Sequence, residues 1–170
     1  MEEIRNKIKE SGLISIDLAD FKPRQDTLTG FDIADHLWQG LVLKEKDFRA
    51  FISVNDWSVF AGKNVHIFCS ADAIVPTWAY MLVATKLQDI ADCVVVGTET
   101  DLQKAIIKQK IDAFDVSEMV DGRFIVKGCA DIVCPEYAMV SLTQHLQPTA
   151  KSIMYGEPCS TVPVYKAPRK

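Results

Sequence analysis

The sequence uses one pattern of residues twice, and this repeat constrains the fold more than any other feature. It reads VHIFCSADAIVPTWAYMLVATKL over residues 65–87 and FIVKGCADIVCPEYAMVSLTQHL over residues 124–146. Each copy has a short apolar run ending in Cys, then Ala-Asp, an apolar linker, Pro, an aromatic residue and Ala, followed by a helical run. The prolines lie 59 positions apart (135 − 76), and the aspartates and alanines keep that offset. The pattern predicts two copies of one strand–loop–helix unit, or two units that share only their turn chemistry.

The helical runs of the two copies predict how each would pack. Three apolar residues of each run follow an i, i+4, i+8 spacing, which places them on the helix face that should contact a sheet. These residues are Ala79, Val83 and Leu87 in the first copy and Ala138, Leu142 and Leu146 in the second. We expect the strands that end at Cys69 and Cys129 to be parallel and to lie in one sheet.

The rest of the chain alternates predicted strands and helices. Apolar patterns predict further strands over residues 13–18, 93–97 and 151–155, and further helices over residues 44–54 and 100–111. Residues 19–32 are predicted to form a loop, and residues 31–43 and 112–122 give no clear pattern. The alternation predicts the α/β class, as a single-domain layered fold over residues 1–170 with a mostly parallel sheet flanked by helices. That fold would contain the two similar strand–loop–helix units.

Composition and charge exclude several classes of protein. A chain with 48% hydrophobic and 25% charged residues has the composition of a globular protein. A net charge of −4 argues against binding to a nucleic-acid backbone. No run is long enough to span a membrane, and the charged N-terminal residues lack the apolar core of a signal peptide. We therefore expect a cytoplasmic protein with no nucleic-acid or membrane partner, while self-association into a homo-oligomer stays open.

Four of the five cysteines map to one predicted edge of the sheet. Cys69 and Cys129 end the repeated strands, Cys134 directly precedes a helix, and Cys159 lies in a turn after the last predicted strand; Cys93 begins its strand and belongs to the opposite edge. Ligands of open α/β sheets bind at the carboxyl ends of the strands. Clustered thiolates suit iron, zinc or an iron–sulfur cluster. The alternative is that these cysteines are small core residues, and the C-x₄-C spacing differs from common zinc sites.

Cys134 is the candidate catalytic or sulfur-accepting residue of this set. It should lie at the N-terminus of a helix, where the dipole favours a thiolate. Because Pro135 follows it, we expect Cys134 to have extended backbone geometry.

Asp72 and Asp131 form a second group of candidate residues. Both lie in loops just before helices, where an aspartate commonly accepts hydrogen bonds from loop backbone N–H groups. The alternative is that the two carboxylates support a metal site or act as acid and base. His36 and His145 lie in polar contexts, so we expect both to be exposed.

Two segments carry a resemblance to a known family. Residues 56–82 (DWSVFAGKNVHIFCSADAIVPTWAYML) and residues 154–166 (MYGEPCSTVPVYK) resemble an uncharacterised bacterial domain-of-unknown-function family, and the likeness covers the whole chain. The resemblance implies an accessory role in iron–sulfur cluster assembly and sulfur mobilisation, with other assembly proteins as partners. It supplies no catalytic residues.

Three functions follow as hypotheses. The first is an accessory protein of iron–sulfur biogenesis that binds a metal, a cluster or a persulfide through Cys134, Cys159 and Cys129, with Cys69 as a further candidate. The second is a thiol-dependent enzyme that uses Cys134. The third is a structural or adaptor protein without chemistry, whose exposed aromatic residues, such as Trp38 or Trp57, mark a partner surface.

Overall fold

The computed structural model describes residues 12–128 and 131–168. This part of the chain is α/β, with two mostly parallel sheets and four α-helices, which confirms the predicted fold class. The strands are β1 (Leu13–Asp17), β2 (Leu28–Asp32), β3 (Asn64–Phe68), β4 (Cys93–Val96), β5 (Gly122–Lys127), β6 (Ala150–Glu157) and β7 (Ser160–Lys166). The helices are α1 (Glu45–Val54), α2 (Thr77–Leu87), α3 (Glu99–Asp112) and α4 (Pro135–Leu146). Within these ranges, no helix has the length and apolar character needed to cross a bilayer.

The contacts divide the chain into two compact units. One unit is Pro23–Ile106, and the other combines Met1–Lys22 with Ile107–Lys170. The chain passes between the units twice, between Lys22 and Pro23 and within α3 between Ile106 and Ile107. The single domain over residues 1–170 stays a prediction.

The unit Pro23–Ile106 is built on a three-stranded parallel sheet in the order β2-β3-β4. Alternation along β3 buries Val65 and Ile67 completely, and these residues belong to the same core as α1 and α2. The three predicted inward residues of α2 are also completely buried in that core, which confirms the helical spacing.

The other unit contains a four-stranded sheet in the order β1-β5-β6-β7. The first three strands are parallel, and β7 returns antiparallel to β6. The core contains Phe124, Val126 and Ile153, which are all buried, together with the three predicted inward residues of α4, which are completely buried. The helix-facing prediction is therefore confirmed in both units.

The prediction that the repeated strands share one sheet is wrong. The strand before Cys69 is β3, which pairs with β2 and β4. The strand before Cys129 is β5, which pairs with β1 and β6. Each repeated strand thus lies in the middle of its own sheet, because each has a separate parallel neighbour supplied from earlier in the chain.

The strand β2 was predicted to be part of a loop, and its glycine explains why. A Cβ atom at Gly30 would lie 2.8 Å from the Phe68 ring and 2.9 Å from the His66 ring. The residue must be Gly for the strands to approach, although Gly within a short polar segment usually indicates a turn. The strand β7 was also not predicted, because Pro163 interrupts its apolar pattern.

The parallel strands of both sheets pair in the same register. Leu28 lies opposite Asn64 in one sheet, and Leu13 lies opposite Arg123 in the other. On the far side of the middle strands, Asn64 pairs with Cys93 and Arg123 pairs with Ser152. The 59-residue offset of the sequence repeat therefore also relates Cys93 to Ser152 (152 − 93).

Candidate functional site

Cys134 lies at the start of α4 in an uncommon backbone conformation. It is the N-cap residue of the helix, with φ 51° and ψ 63°, and its half-buried side chain makes no capping hydrogen bond. The predicted extended geometry is therefore wrong. A following proline disfavours the right-handed helical region for Cys134, but the left-handed region still lets its carbonyl oxygen accept a bond of 3.2 Å from the Ala138 N–H. The first helical bond is thus formed at the expense of backbone strain.

Cys159 is exposed in the tight turn that connects β6 and β7. This turn follows the carboxyl end of β6, and the loop that leads to Cys134 follows the carboxyl end of β5. Because β5 and β6 are parallel, both thiols belong to the same edge of the four-stranded sheet. Cys129 lies outside the described residues.

Cys69 belongs to the other sheet. It follows β3, is half-buried against the core of that unit, and its thiol is 3.6 Å from the Ala71 carbonyl oxygen. The common edge expected for Cys69 and Cys129 is not formed, because their strands lie in different sheets. Cys93 is buried at the beginning of β4, as predicted for the opposite edge.

Metal ligands do not cluster in the described part of the chain. Within residues 12–128 and 131–168, no three His, Cys, Asp or Glu side chains are close enough to hold one ion. The assignment of Cys129, Cys134 and Cys159 as ligands stays a prediction.

The two aspartates of the repeat are both exposed, and neither orders its loop as expected. Asp131 forms an ion pair of 2.7 Å with the Lys22 ammonium group, and the hydrogen bond from Lys22 lowers the pKa of this carboxyl. Asp72 lies on the surface of the loop between β3 and α2. No backbone N–H of the described residues donates to either carboxylate, so the expected structural role is not seen there.

Two other aspartates order the carboxyl ends of the strands, and sequence reasoning missed them. Asp17 ends β1 and accepts a bond of 2.9 Å from the Ala19 N–H, while Asp32 ends β2 and accepts one of 2.9 Å from the Ala34 N–H. The signal was present as LISIDLADF over residues 13–21 and LTGFDIADH over residues 28–36. Both segments read Leu-x₃-Asp-(Leu/Ile)-Ala-Asp, which is a second, shorter repeat.

Asp32 lies near two other side chains that could take part in a reaction, the Tyr80 hydroxyl and the Cys69 thiol. Burial raises the pKa of the Tyr80 hydroxyl, and negative charge at Cys69 and Asp32 adds to this effect. Burial would also raise the pKa of Asp32, but hydrogen bonds from the Ser70 hydroxyl and from the Ala34 and Ser70 backbone N–H groups lower it overall. This edge therefore holds an ionised carboxylate near a protonated phenol and a thiol.

The exposed aromatic surface was predicted correctly at one of two tryptophans. Trp38 is 49% exposed in a tight turn closed by backbone bonds to Val42, and the Lys44 ammonium group lies 4.1 Å from its ring centroid. Trp57 is buried, and its indole N–H donates to the Ile52 carbonyl oxygen at 3.1 Å. The polar residues around Trp57 in sequence concealed an aromatic core position.

The predicted exposure of two histidines is also wrong. His36 is half-buried, with its ring centroid 3.8 Å from that of Phe51. His145 is half-buried and lies 2.7 Å from the Phe114 carbonyl oxygen. Their polar neighbours in sequence gave no sign of these tertiary contacts.

Comparison with known proteins gives a family for the chain. Residues 2–167 match the sequence model of a family described as "Protein of unknown function (DUF2480)". The chain belongs to the DUF2480 family. This result confirms the resemblance to a family of unknown function, while DUF2480 membership by itself supplies no activity, ligand or partner. Searches of curated proteins and of solved structures found no match.

Proposed function

We propose that this DUF2480 protein is an accessory protein of iron–sulfur cluster biogenesis that carries sulfur on thiols at the edge of its four-stranded sheet. Cys134 would be the accepting thiol, with Cys159 at the same edge and Cys129 next to β5 in sequence. Iron, zinc or an iron–sulfur cluster bound by these three residues is the second form of the proposal. Cys69 is left out because its strand belongs to the other sheet.

The conformation of Cys134 is the observation that carries the proposal. A residue other than Gly in the left-handed region costs on the order of 1–3 kcal/mol, and such strain is concentrated at functional positions. Glycine would fit this backbone without that strain. A half-buried cysteine at this position is therefore better explained by a need for its thiol than by packing.

The repeat supplies an independent comparison. By the 59-residue offset, the position of Cys134 corresponds to Val75, whereas Cys129 is the counterpart of Cys69, 60 positions earlier (129 − 69), with a loop that is one residue shorter. Val75 also precedes a proline and a helix, but it does not have a positive φ. We infer that the two sheets derive from one ancestral unit, in which case the shared Pro and Ala residues build the scaffold. The Cys134 thiol then belongs to one copy only, because its counterpart is Val75, and turn chemistry does not require it.

The proposed step is the transfer of one sulfur atom. The Cys134 thiolate attacks the outer sulfur of a persulfide, R–S–SH, carried by a donor. The S–S bond of the donor breaks, its thiolate R–S⁻ leaves, and Cys134 becomes Cys–S–SH. No external oxidant or reductant is needed, because the sulfane sulfur is only moved between thiols.

The proposal is tested by loading the protein with sulfur in the absence of oxygen. Parent protein and the Cys134→Ser, Cys159→Ser and Cys69→Ser variants would be incubated with inorganic polysulfide, and bound sulfane sulfur would be measured by reaction with cyanide. Metal and acid-labile sulfide would be measured on the same anaerobic samples. We expect Cys134→Ser to lose loading, while Cys69→Ser, the matched control from the other sheet, keeps it.

Two results would contradict the proposal. One is a parent protein that binds neither sulfane sulfur nor metal. The other is a Cys134→Ser variant that loads as well as the parent. Selective alkylation of Cys134 without sulfur or metal loading would favour the thiol-dependent enzyme instead.

A further inference from the structure

A pocket of about 470 Å³ lies near the amino ends of β5 and β6, within the unit that contains the four-stranded sheet. Three basic side chains line it, those of Arg123, Lys151 and Lys166, and Ser152 adds a hydroxyl group. None of the described residues that line the pocket is acidic. A cavity of this size commonly holds a small molecule. The pocket therefore concentrates positive charge in a concave site.

Strand pairing places two of the cations in one row of the sheet. Arg123 of β5 pairs with Ser152 of β6, and Ser152 pairs with Lys166 of β7. Paired residues project from the same face of a sheet, and neighbouring strands are about 4.8 Å apart. The two cationic residues therefore flank Ser152 on one face. The next row contains Phe124 and Ile153, which belong to the buried core, so the cationic row projects from the opposite face.

An irregularity in the sheet adds the third cation. Gly122 pairs with Ala150, but Arg123 pairs with Ser152, so Lys151 is the extra residue of a β-bulge. Successive residues of a regular strand point to opposite faces, whereas a bulge can direct a side chain differently. Lys151 and Ser152 line the same pocket although they are consecutive. The bulge thus brings a third positive charge to the row that holds the other two.

The segments outside the described residues do not supply a net negative charge to this pocket. Residues 1–11 contain three acidic and three basic side chains, residues 129–130 are Cys-Ala, and residues 169–170 are Arg-Lys. Like charges on neighbouring strands repel one another and destabilise a sheet. Three cations in one concave site become favourable when an anion binds there. The charge of the pocket therefore identifies an anion as its occupant.

The chemistry of the pocket favours a phosphate group among the possible anions. The guanidinium group of Arg matches phosphate oxygens with paired N–H donors, and Lys supplies point charges. A phosphate monoester carries a charge of about −1.5 to −2 at neutral pH, which complements three cations better than the single charge of a carboxylate. Leu13, Met154 and Pro163 also line the pocket and offer contacts to an apolar group. The net charge of −4 argues against a nucleic acid as the source of the phosphate.

We propose that this pocket binds a phosphorylated small molecule. The three basic side chains hold the phosphate, the Ser152 hydroxyl donates to a phosphate oxygen, and Leu13, Met154 and Pro163 contact the apolar part of the molecule. The inference is independent of the proposed sulfur chemistry. The pocket lies at the amino ends of β5 and β6, whereas the candidate thiols follow the carboxyl ends of these strands.

Binding of phenyl phosphate to the full chain tests the proposal. This probe joins a phosphate monoester to one apolar ring, benzoate is the control with a single charge, and benzyl alcohol is the uncharged control. Isothermal titration calorimetry would give the Kd of each. We expect saturable binding of phenyl phosphate, binding of benzoate that is weaker by about tenfold or more, and no binding of benzyl alcohol. The affinity for phenyl phosphate should fall as the salt concentration rises, because charges attract the ligand.

Variants of the protein locate the binding in the pocket. Arg123→Gln should weaken binding of phenyl phosphate by about tenfold or more, because paired hydrogen bonds to the phosphate are lost. Lys166→Gln should weaken it by about threefold or more. Lys46→Gln, on α1, removes the same charge elsewhere and should bind as the parent does. All three positions are exposed, so the melting temperatures of these variants should match that of the parent.

A further variant tests whether carboxylates of the chain itself occupy the pocket. It combines Glu2→Gln, Glu3→Gln and Glu10→Gln, which removes every acidic side chain of residues 1–11. We expect this variant to bind phenyl phosphate as the parent does. Clearly tighter binding would overturn the proposal, because the cations would then already be paired within the protein.

Other results would also contradict the proposal. One is an absence of saturable binding by the parent, and another is parent-like binding by both Arg123→Gln and Lys166→Gln. Inorganic phosphate that binds as tightly as phenyl phosphate would assign the pocket to the free ion. An acetylated, amidated peptide of four Glu residues that binds more tightly than phenyl phosphate would assign it to an acidic protein segment.

Discussion

Asp32 and Ser70 are joined by a hydrogen bond of 3.0 Å from the Ser70 backbone N–H to the Asp32 carboxylate. The bond connects the carboxyl end of β2 to the loop that follows β3. The same carboxylate oxygen also accepts from the Ala34 N–H, so one side chain orders two chain segments. The carboxylate therefore positions the loop that begins at Cys69.

Replacement of Asp32 by Ala should reduce the free energy of unfolding by about 1–2 kcal/mol, since bonds to a charged group are lost at a partly exposed site. The measurement is urea unfolding of parent and variant at neutral pH. Asp35→Ala, which changes an exposed aspartate of the same turn, is the control and should unfold like the parent.

The contribution of Asp32 should also depend on pH. Burial opposes ionisation of this carboxyl, but hydrogen bonds from Ser70 and Ala34 lower its pKa overall in the folded protein. A lowered folded-state pKa stabilises the fold above the unfolded-state value of about 3.9, and this stabilisation is lost as the pH falls through the folded-state pKa. The difference between parent and Asp32→Ala should therefore shrink below about pH 4. A difference that stays constant down to pH 2 would contradict this account.

Enlarging the alanine on the inner face of α2 or α4 should destabilise the protein. Ala79 and Ala138 are both completely buried. Leucine at either position should overpack the core and reduce the free energy of unfolding by about 1–3 kcal/mol. Met81→Leu, at a position of α2 that is 64% exposed, should change stability little. An unchanged melting temperature for Ala79→Leu would place that residue outside the core.

The left-handed conformation of Cys134 should reverse the usual order of stability of variants with Gly and with Ala at this position. At this position we expect Cys134→Gly to be more stable than Cys134→Ala by about 1 kcal/mol, because Gly alone adopts positive φ without strain. In extended backbone, Ala would be the more stable of the two because it loses less entropy on folding. Chemical unfolding of the two variants distinguishes these cases, with Cys134→Ser as a reference of similar size.

The ring of His36 should make stability fall in mild acid. His36 packs against Phe31 and Phe51, with ring centroids 5.5 Å and 3.8 Å away. Burial lowers its pKa, although the nearby carboxylates of Asp35 and Asp32 oppose this effect. The neutral ring is thus favoured in the folded state. Its contribution is complete above the unfolded-state value of about 6.5 and is lost as the pH falls through the folded-state pKa.

His36→Phe keeps the aromatic packing and removes the titration. We expect the melting temperature of this variant to change less than that of the parent between pH 7.5 and pH 5, roughly the range in which histidine titrates. Parallel melting curves for parent and variant across this range would show that His36 does not contribute to the pH dependence.

Local regularities made much of the fold predictable. The i, i+4, i+8 spacing around Ala79 and Ala138 identified the buried face of each helix, because helix periodicity depends only on residues within a few turns. The strands at Val65 and Phe124 were predicted from short apolar runs, which are also a local feature of the sequence. By contrast, β2 was missed because Gly30 in its local sequence indicates a turn. The structure requires Gly there because the Phe68 ring of the neighbouring strand β3 lies too close for a Cβ atom.

The candidate site was predicted only in part. Cys134 and Cys159 belong to the predicted edge, since strand direction and turn position follow from local sequence. Cys69 does not share that edge, because the assignment of β3 and β5 to different sheets depends on which earlier strand each one pairs with. Asp32 was missed because its importance comes from Ser70, 38 residues away.

The sequence by itself determined the α/β class, the inward faces of α2 and α4, and the edge to which Cys134 and Cys159 belong. Each of these follows from periodicity or from residues close together in the chain. Only the tertiary structure decided that β1 and β2 give the repeated strands separate sheets, and that Trp57 and His36 pack into an aromatic core. These features depend on contacts between distant segments, whose free energy comes from burial and strand pairing that no single stretch of sequence contains.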